Sequence, residues 1–159
     1  MRRKDREITD PDRIREILDA AKILHLGIHD DLCPYVVPLH YGYECVDGQL
    51  VFYMHCAKEG HKLDLIRQNP HVCVQIDCGM DLISGGDIAC RYGASYASVI
   101  GRGKADLLED PKSKADALAL LMRHQTGRVF DIQEKNTAAV SVIRVSITEY
   151  SAKERSNII

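Results

Sequence analysis

The chain reads as a mainly β protein: an antiparallel barrel of six to seven strands with flanking helices. Three observations predict this. Apolar residues alternate at strand spacing over most of the sequence. Consecutive strands are joined by short turns such as Asp47-Gly48, so neighbours run antiparallel. Helical spacing is confined to three stretches.

The elements follow in order. Asp10-Pro11 is an N-cap followed by proline at the first helical position. Ile14, Ile17, Leu18 and Ala21 then recur at helical spacing, which predicts a helix over 11–22. Leu24, Leu26 and Ile28 alternate with His25, Gly27 and His29, giving a first strand. Asp30-Asp31 and Cys33-Pro34 turn the chain into a second strand, Tyr35 to Cys45. Pro38 inside it cannot donate to a ladder, so it marks an edge, a bulge or a neighbour that is not a strand. Asp47-Gly48 leads to a third strand, Gln49 to His55.

Glu59 to Gln68 reads as a short helix with Leu63 and Ile66 inward, stopped by Asn69-Pro70. Val72, Val74 and Ile76 mark a fourth strand. Residues 79–92 lack periodicity and form a loop. Ser95 to Leu107 is a long strand in which Gly101 and Gly103 suggest a bulge. Asp110-Pro111 opens a helix carrying Ala115, Leu118, Leu121 and Met122 on one face, ended by Thr126-Gly127. Residues 138–150 form the last strand.

Composition narrows the function. With 159 residues the chain is one domain, 1–159, large enough for its own core. Hydrophobic residues are 45% and charged residues 28%, a globular balance. A net charge of −2 argues against general attraction to nucleic acid or to anionic membrane. No apolar run approaches the roughly 20 residues of a membrane helix. The basic start, Arg2, Arg3, Lys4 and Arg6, is broken by Asp5 and Glu7 and reads as a solvated arm, not a signal peptide. The 6 cysteines include no Cys-x-x-Cys pair, which implies reduced thiols in a cytoplasmic protein. His55-Cys56 and His71-x-Cys73 lack the paired close spacings of zinc ligands, so no metal is expected.

The segment Pro34 to Lys62, PYVVPLHYGYECVDGQLVFYMHCAKEGHK, carries most of the functional signal. A hairpin runs through a histidine-containing loop into a helix with Lys62 in its first turn. A helix N-terminus offers unpaired N–H groups and a positive dipole end, which suit a phosphate. Lys62 adds a point charge there, and His61 another donor. The competing reading leaves His55 packed and Lys62 solvated. Cys56 beside His55 does not make a nucleophile–base pair, because adjacent strand residues face opposite ways. No Walker loop, nucleophile elbow or His-Glu-x-x-His is present.

Four segments in order, MRRKDREITD, PYVVPLHYGYE, FYMHCAKEGHKLDLI and YASVIGRGKADLL, resemble the pyridoxamine 5′-phosphate oxidase-like family of FMN-binding split barrels. More closely, they resemble its 5-nitroimidazole antibiotic-resistance branch. The resemblance implies an FMN site along Val37, Pro38, Leu39, His40 and Tyr41. It adds Tyr53, Met54 and His55 at the end of the third strand. It places the phosphate-binding basic pair at His61 and Lys62, with Ser98 and Val99 contributing from a later strand. It also implies a homodimer with FMN at the interface, acting on a small molecule.

Two departures qualify it. The C-terminal Arg-x-His substrate segment of true pyridoxine-phosphate oxidases is missing; here the end reads SAKERSNII. His61 stands where arginine is common, which makes anion binding more pH-dependent. The resemblance therefore implies an FMN-dependent oxidoreductase, with nitroimidazole or nitroaromatic reduction as its reaction and His55 near the substrate. Two alternatives stand beside it: a haem-binding split barrel, and a flavin-binding module without catalysis.

Overall fold

The computed structural model describes residues 3–155. Arg2 of the basic arm and the last four residues of the tail lie outside them. In chain order the elements are β1 (Glu7–Ile8), α1 (Pro11–Ala20), β2 (Ile23–Ile28), β3 (Tyr35–Val46) and β4 (Gln49–Cys56). Then come α2 (His61–Gln68), β5 (His71–Cys78), β6 (Leu82–Ile83), β7 (Gly93–Ala94) and β8 (Tyr96–Leu108). The chain ends with α3 (Pro111–Thr126) and β9 (Ser141–Arg155). No helix among the described residues is long and apolar enough to cross a membrane.

The sheet runs β1-β9-β4-β3-β2-β5-β8, and β8 pairs back onto β9. Six antiparallel strands therefore close into a barrel, with β1 as an extra strand on β9. Closure removes the open edges that a flat sheet would expose. The core is the inward half of each alternating strand: Leu24, Leu26 and Ile28 on β2, Val72, Val74 and Ile76 on β5, Val145 and Ile147 on β9. Asp10 caps α1 by accepting from the Asp12 amide, and Ile14, Ile17 and Leu18 bury its apolar face in the same core. α2 contributes Leu63, Leu65 and Ile66 and packs on β2 and β8.

α3 lies outside the barrel on β3 and β4. It covers a second apolar cluster of Val51, Tyr53, Ala117 and Val142. Gly42 is the point of closest approach. A Cβ there would collide with the backbone of Leu120 and Leu121.

The expected elements are present, with four differences. The N-terminal arm, read as solvated, adds Glu7 and Ile8 to β9 as β1, and Arg6 donates to the Tyr96 hydroxyl. β9 begins at Ser141 and continues to Arg155, because β8 offers a ladder along that whole length. Residues Glu134–Ala139, partly read as strand, form a 3-10 turn. The 79–92 loop contains β6, which pairs with β7 just beyond it; Ser95 holds this hairpin, its hydroxyl donating to the Gly79 carbonyl at 2.9 Å. The bulge expected at Gly101 and Gly103 falls between Arg102 and Gly103, where the backbone of Ser146 leaves no room for a Cβ.

Candidate functional site: a gap between two strands beside an uncapped helix

β3 changes partner part-way along its length. Tyr35 to His40 pair with β2, and Tyr41 to Val46 pair with β4. The first half of β3 thus has no strand on its β4 side. His55 and Cys56 at the end of β4 pair with β9 but not with β3. A gap opens between them, and Pro38 sits in its edge. Proline is tolerated at such an edge because it cannot serve a second ladder.

The parting is braced from α3. The Gln125 side chain donates to the Tyr41 carbonyl at 2.8 Å and to the Lys22 carbonyl at 3.1 Å. Its Oε1 accepts from His40 Nδ1 at 3.0 Å.

One end of the gap is closed by the start of α2. Gly60 is the N-cap, with φ +140°, and it supplies no capping side chain. Only glycine adopts that backbone readily. The first amides of the helix are left without a side-chain acceptor, the arrangement that favours an anion. His61 packs edge-on against Tyr35, with ring centroids 5.2 Å apart. Its Nε2 meets Asp30 Oδ2 at 2.8 Å, and the imidazole holds the Asp30 carboxyl below its usual range. Arg67 pairs with Asp64 at 3.0 Å. Among the described residues Lys62 has no carboxylate partner. It is half-buried and close enough to the Cys56 thiol to oppose the upward push that burial gives that thiol.

The expected site residues therefore divide. Val37 and Leu39 turn inward against the core, while Pro38 and His40 face outward; all four present backbone at the gap. Tyr41 and Met54 are fully buried, and the Tyr41 hydroxyl donates to the Leu18 carbonyl at 2.7 Å. Tyr53 lies under α3 and donates to Glu44 at 2.6 Å. His55 is exposed on the outer face, and Cys56 turns in. His61 and Lys62 meet the gap.

Ser98 and Val99 do not join this group within one chain. Val99 is core, at 1% exposure. Ser98 pairs with Asp77 and Lys153 at the far end of β8. Ala105, whose amide donates to Pro70 just past α2, is separated from Ser98 by about 23 Å of strand.

Sequence reasoning missed Asp30 and Gln125, whose partners lie far along the chain. It also missed the Gly60 conformation, for which Glu59-Gly60 before a helix was the available signal.

The donor set suits the phosphate and ring edge of a flavin. It offers helix amides, an unpaired ammonium and a strand edge with free backbone groups. Among the described residues no cluster of three His, Cys, Asp or Glu side chains is placed to hold a metal.

Known proteins share this split-barrel fold. The pyridoxamine 5′-phosphate oxidase family model matches residues 10–154. A Bacteroides thetaiotaomicron protein assigned to 5-nitroimidazole antibiotic resistance is 32% identical, with TM-score 0.78 over 93% of this chain and 86% of its own. An FAD-binding protein from Mesorhizobium loti is 25% identical, with TM-score 0.66 over 95% of this chain and 98% of its own. A flavocytochrome from Azotobacter vinelandii shares the fold at 23% identity, with TM-score 0.77 over 99% of this chain and 72% of its own. No curated protein matches the chain. With the family model spanning nearly all of its length, this chain belongs to the pyridoxamine 5′-phosphate oxidase family.

Proposed function

We propose that the chain is a flavin-dependent oxidoreductase of the split-barrel type, with FMN as the cofactor its phosphate anchor accounts for. One observation carries the reading. An unpaired strand edge, an uncapped helix N-terminus and an ammonium without a carboxylate meet at a single gap. When bound, the flavin supplies the electron transfer. The chain's own residues bind and orient. Lys62 and the first amides of α2 hold the phosphate. The backbone of Val37 to Tyr41 offers donors and acceptors to the ring edge. His55, exposed beside the gap, orients a substrate or hands it a proton. The 32%-identical resistance relative supports a nitroimidazole or another nitroaromatic as that substrate. Six free cysteines suit a reducing, cytoplasmic setting.

The working unit in this proposal is a homodimer. The outer face of β2, β5 and β8, with Val36 of β3 (57% exposed) and Thr148 and Glu149 of β9, forms a groove of about 900 Å³. His25 Nδ1 lies buried there with no hydrogen-bond partner among the described residues. Buried polar atoms are rarely left so, and a second copy packed on this face gives it one.

The absorption spectrum of the purified protein, before and after FMN addition, tests the reading. Bound flavin bands that bleach on reduction, followed by turnover of a nitroaromatic, are expected. A protein that stays colourless with FMN sinks the proposal. A Soret band replaces it with the haem reading, and a flavin that bleaches without turnover leaves a binding module.

A further inference from the structure

Two histidines stand at the mouth of the gap on the outer face of β3 and β4. Residues two apart on a strand share a face. Gly42 meets Leu120 and Leu121 of α3, so His40 lies on that same face, one step past the helix. Tyr53 lies under α3, so His55 is on this face too, again one step past the helix. The β3–β4 ladder stops at Tyr41 opposite Met54. Its next pair would be His40 opposite His55. The parting strands therefore hold one exposed imidazole on each side of the gap.

The two rings are held differently. Gln125 Nε2 donates to the Tyr41 and Lys22 carbonyls, which fixes its amide. Gln125 Oε1 is left facing His40 Nδ1 at 3.0 Å, and the Lys22 carbonyl lies 3.3 Å from the same nitrogen. Both oxygens can only accept, so Nδ1 carries the hydrogen. Nε2 is then the atom free to take or give a proton. Among the described residues it has no hydrogen-bond partner, and neither has the His55 ring. The charged groups nearby are turned elsewhere. Lys22 Nζ donates to the Asp19 and His124 carbonyls, and the His124 ring to the Ala21 carbonyl. A ring with one nitrogen fixed by a neighbour and the other free is the arrangement that acid–base catalysis uses.

We propose that His40 hands a proton to the substrate in the gap, that Gln125 positions it, and that His55 orients the substrate from the opposite side. The proposal rests on the oxidoreductase reading and deepens it. Reducing an aromatic nitro group to nitroso takes two electrons and two protons, breaks one N–O bond and releases that oxygen as water. Bound reduced flavin supplies both electrons and one proton. The second proton leaves His40 Nε2 for a nitro oxygen, and solvent then recharges the neutral ring.

Two measurements on the full chain test this. Proton–nitrogen correlation NMR of the flavin-free protein reads the ring tautomer. Neutral His40 is expected with its hydrogen on Nδ1, and Gln125→Leu should lose that preference. A wild-type ring with its hydrogen on Nε2 overturns the proposal. The second measurement follows oxidation of the FMN-loaded protein, photoreduced with EDTA, by the nitroaromatic metronidazole at pH values on both sides of the ordinary imidazole value of about 6.5. The wild-type rate should fall as pH rises. His40→Gln should lower it about 100-fold at acid pH and flatten the profile. Gln125→Glu keeps the acceptor and adds a charge, so the fall should move to higher pH, which a mere structural prop would not cause. His55→Gln should raise the metronidazole concentration needed for half the maximal rate and keep the pH dependence. Thermal melts check that each variant folds. Turnover that survives His40→Gln with its pH dependence intact overturns the donor role alone. So does a profile flattened by His55→Gln instead, and an unmoved profile in Gln125→Glu removes Gln125 from its role. A wild type that binds no flavin, or passes no electrons to metronidazole, overturns the oxidoreductase reading and the proposal with it.

Discussion

At the residue scale, Lys62 and Gly42 each perform a task that no neighbour shares. Lys62 is the half-buried cation at the gap without a carboxylate among the described residues. Lys62→Ala should weaken FMN binding by about 1.5–3 kcal/mol, the worth of a charge-assisted bond to phosphate. Fluorescence titration checks this, and unchanged affinity removes Lys62 from the anchor. Gly42 acts by what it lacks. Because a Cβ there meets the backbone of Leu120 and Leu121, α3 must move outward to admit one. Gly42→Ala should cost about 1–3 kcal/mol, the usual scale of overpacking. A denaturant midpoint equal to wild type would show that α3 is not seated as described. Lys62 was legible because position in a first helical turn is local information. Gly42 read as an ordinary strand residue, because the helix that needs it arrives 78 residues later, at Leu120. Asp30 escaped for the same reason, lying 31 residues from His61.

At the scale of elements, alternation and capping made the strands and helices legible, but not what they press against. Within Tyr35–Val46, Pro38 signals that one edge lacks a strand, but not that β2 gives way to β4 after His40. That change opens the gap, and it is fixed by Gln125 reaching across from α3. The same helix end carries a pH dependence. His124 packs against Tyr41 and Tyr43, with ring centroids 4.5 and 5.7 Å away. Its Nε2–H donates to the Ala21 carbonyl at 2.9 Å. A helix C-terminus ordinarily favours a protonated histidine. Here burial lowers the His124 pKa, with the Lys22 charge adding to it, and together they outweigh the pull of the Ala21 carbonyl and Asp19. The unfolded chain then binds the proton more readily than the folded one. Stability is therefore retained at neutral pH and lost as pH falls below about 6.5, the ordinary imidazole value. The melting temperature should drop between pH 7.5 and pH 5.5, and by less in His124→Gln, which keeps a donor for Ala21. Equal drops in the two proteins would assign the acid sensitivity to another group.

At the scale of the whole molecule, barrel closure sets a limit that no single element reveals. The resemblance to flavin-binding split barrels assigns Ser98 and Lys62 to one cofactor. Inside one chain they stand near opposite ends of the barrel, with about 23 Å of β8 between Ser98 and the strand position that meets the end of α2. The closing pairs, β2 with β5 and β8 with β9, join segments far apart in sequence, so this separation was not legible beforehand. A cofactor that touches both residues must draw them from two copies. The exposed groove over β2, β5 and β8, with His25 Nδ1 buried in it and unpartnered among the described residues, is the face proposed for that contact. The consequence is complementation between subunits. Lys62→Ala should weaken flavin binding in every site of its homodimer, and so should Ser98→Asp, by setting a carboxylate against the phosphate. In a heterodimer of the two variants, one site collects both defects and the other collects neither. Co-expression with two different affinity tags isolates that heterodimer. It should bind close to one flavin per dimer at wild-type affinity, where each parent homodimer binds none at the same concentration. If the heterodimer binds no better than its parents, Ser98 and Lys62 do not share a site across the interface. If the wild-type protein sediments as a monomer with flavin bound, each gap is complete on its own and Ser98 has no part in it.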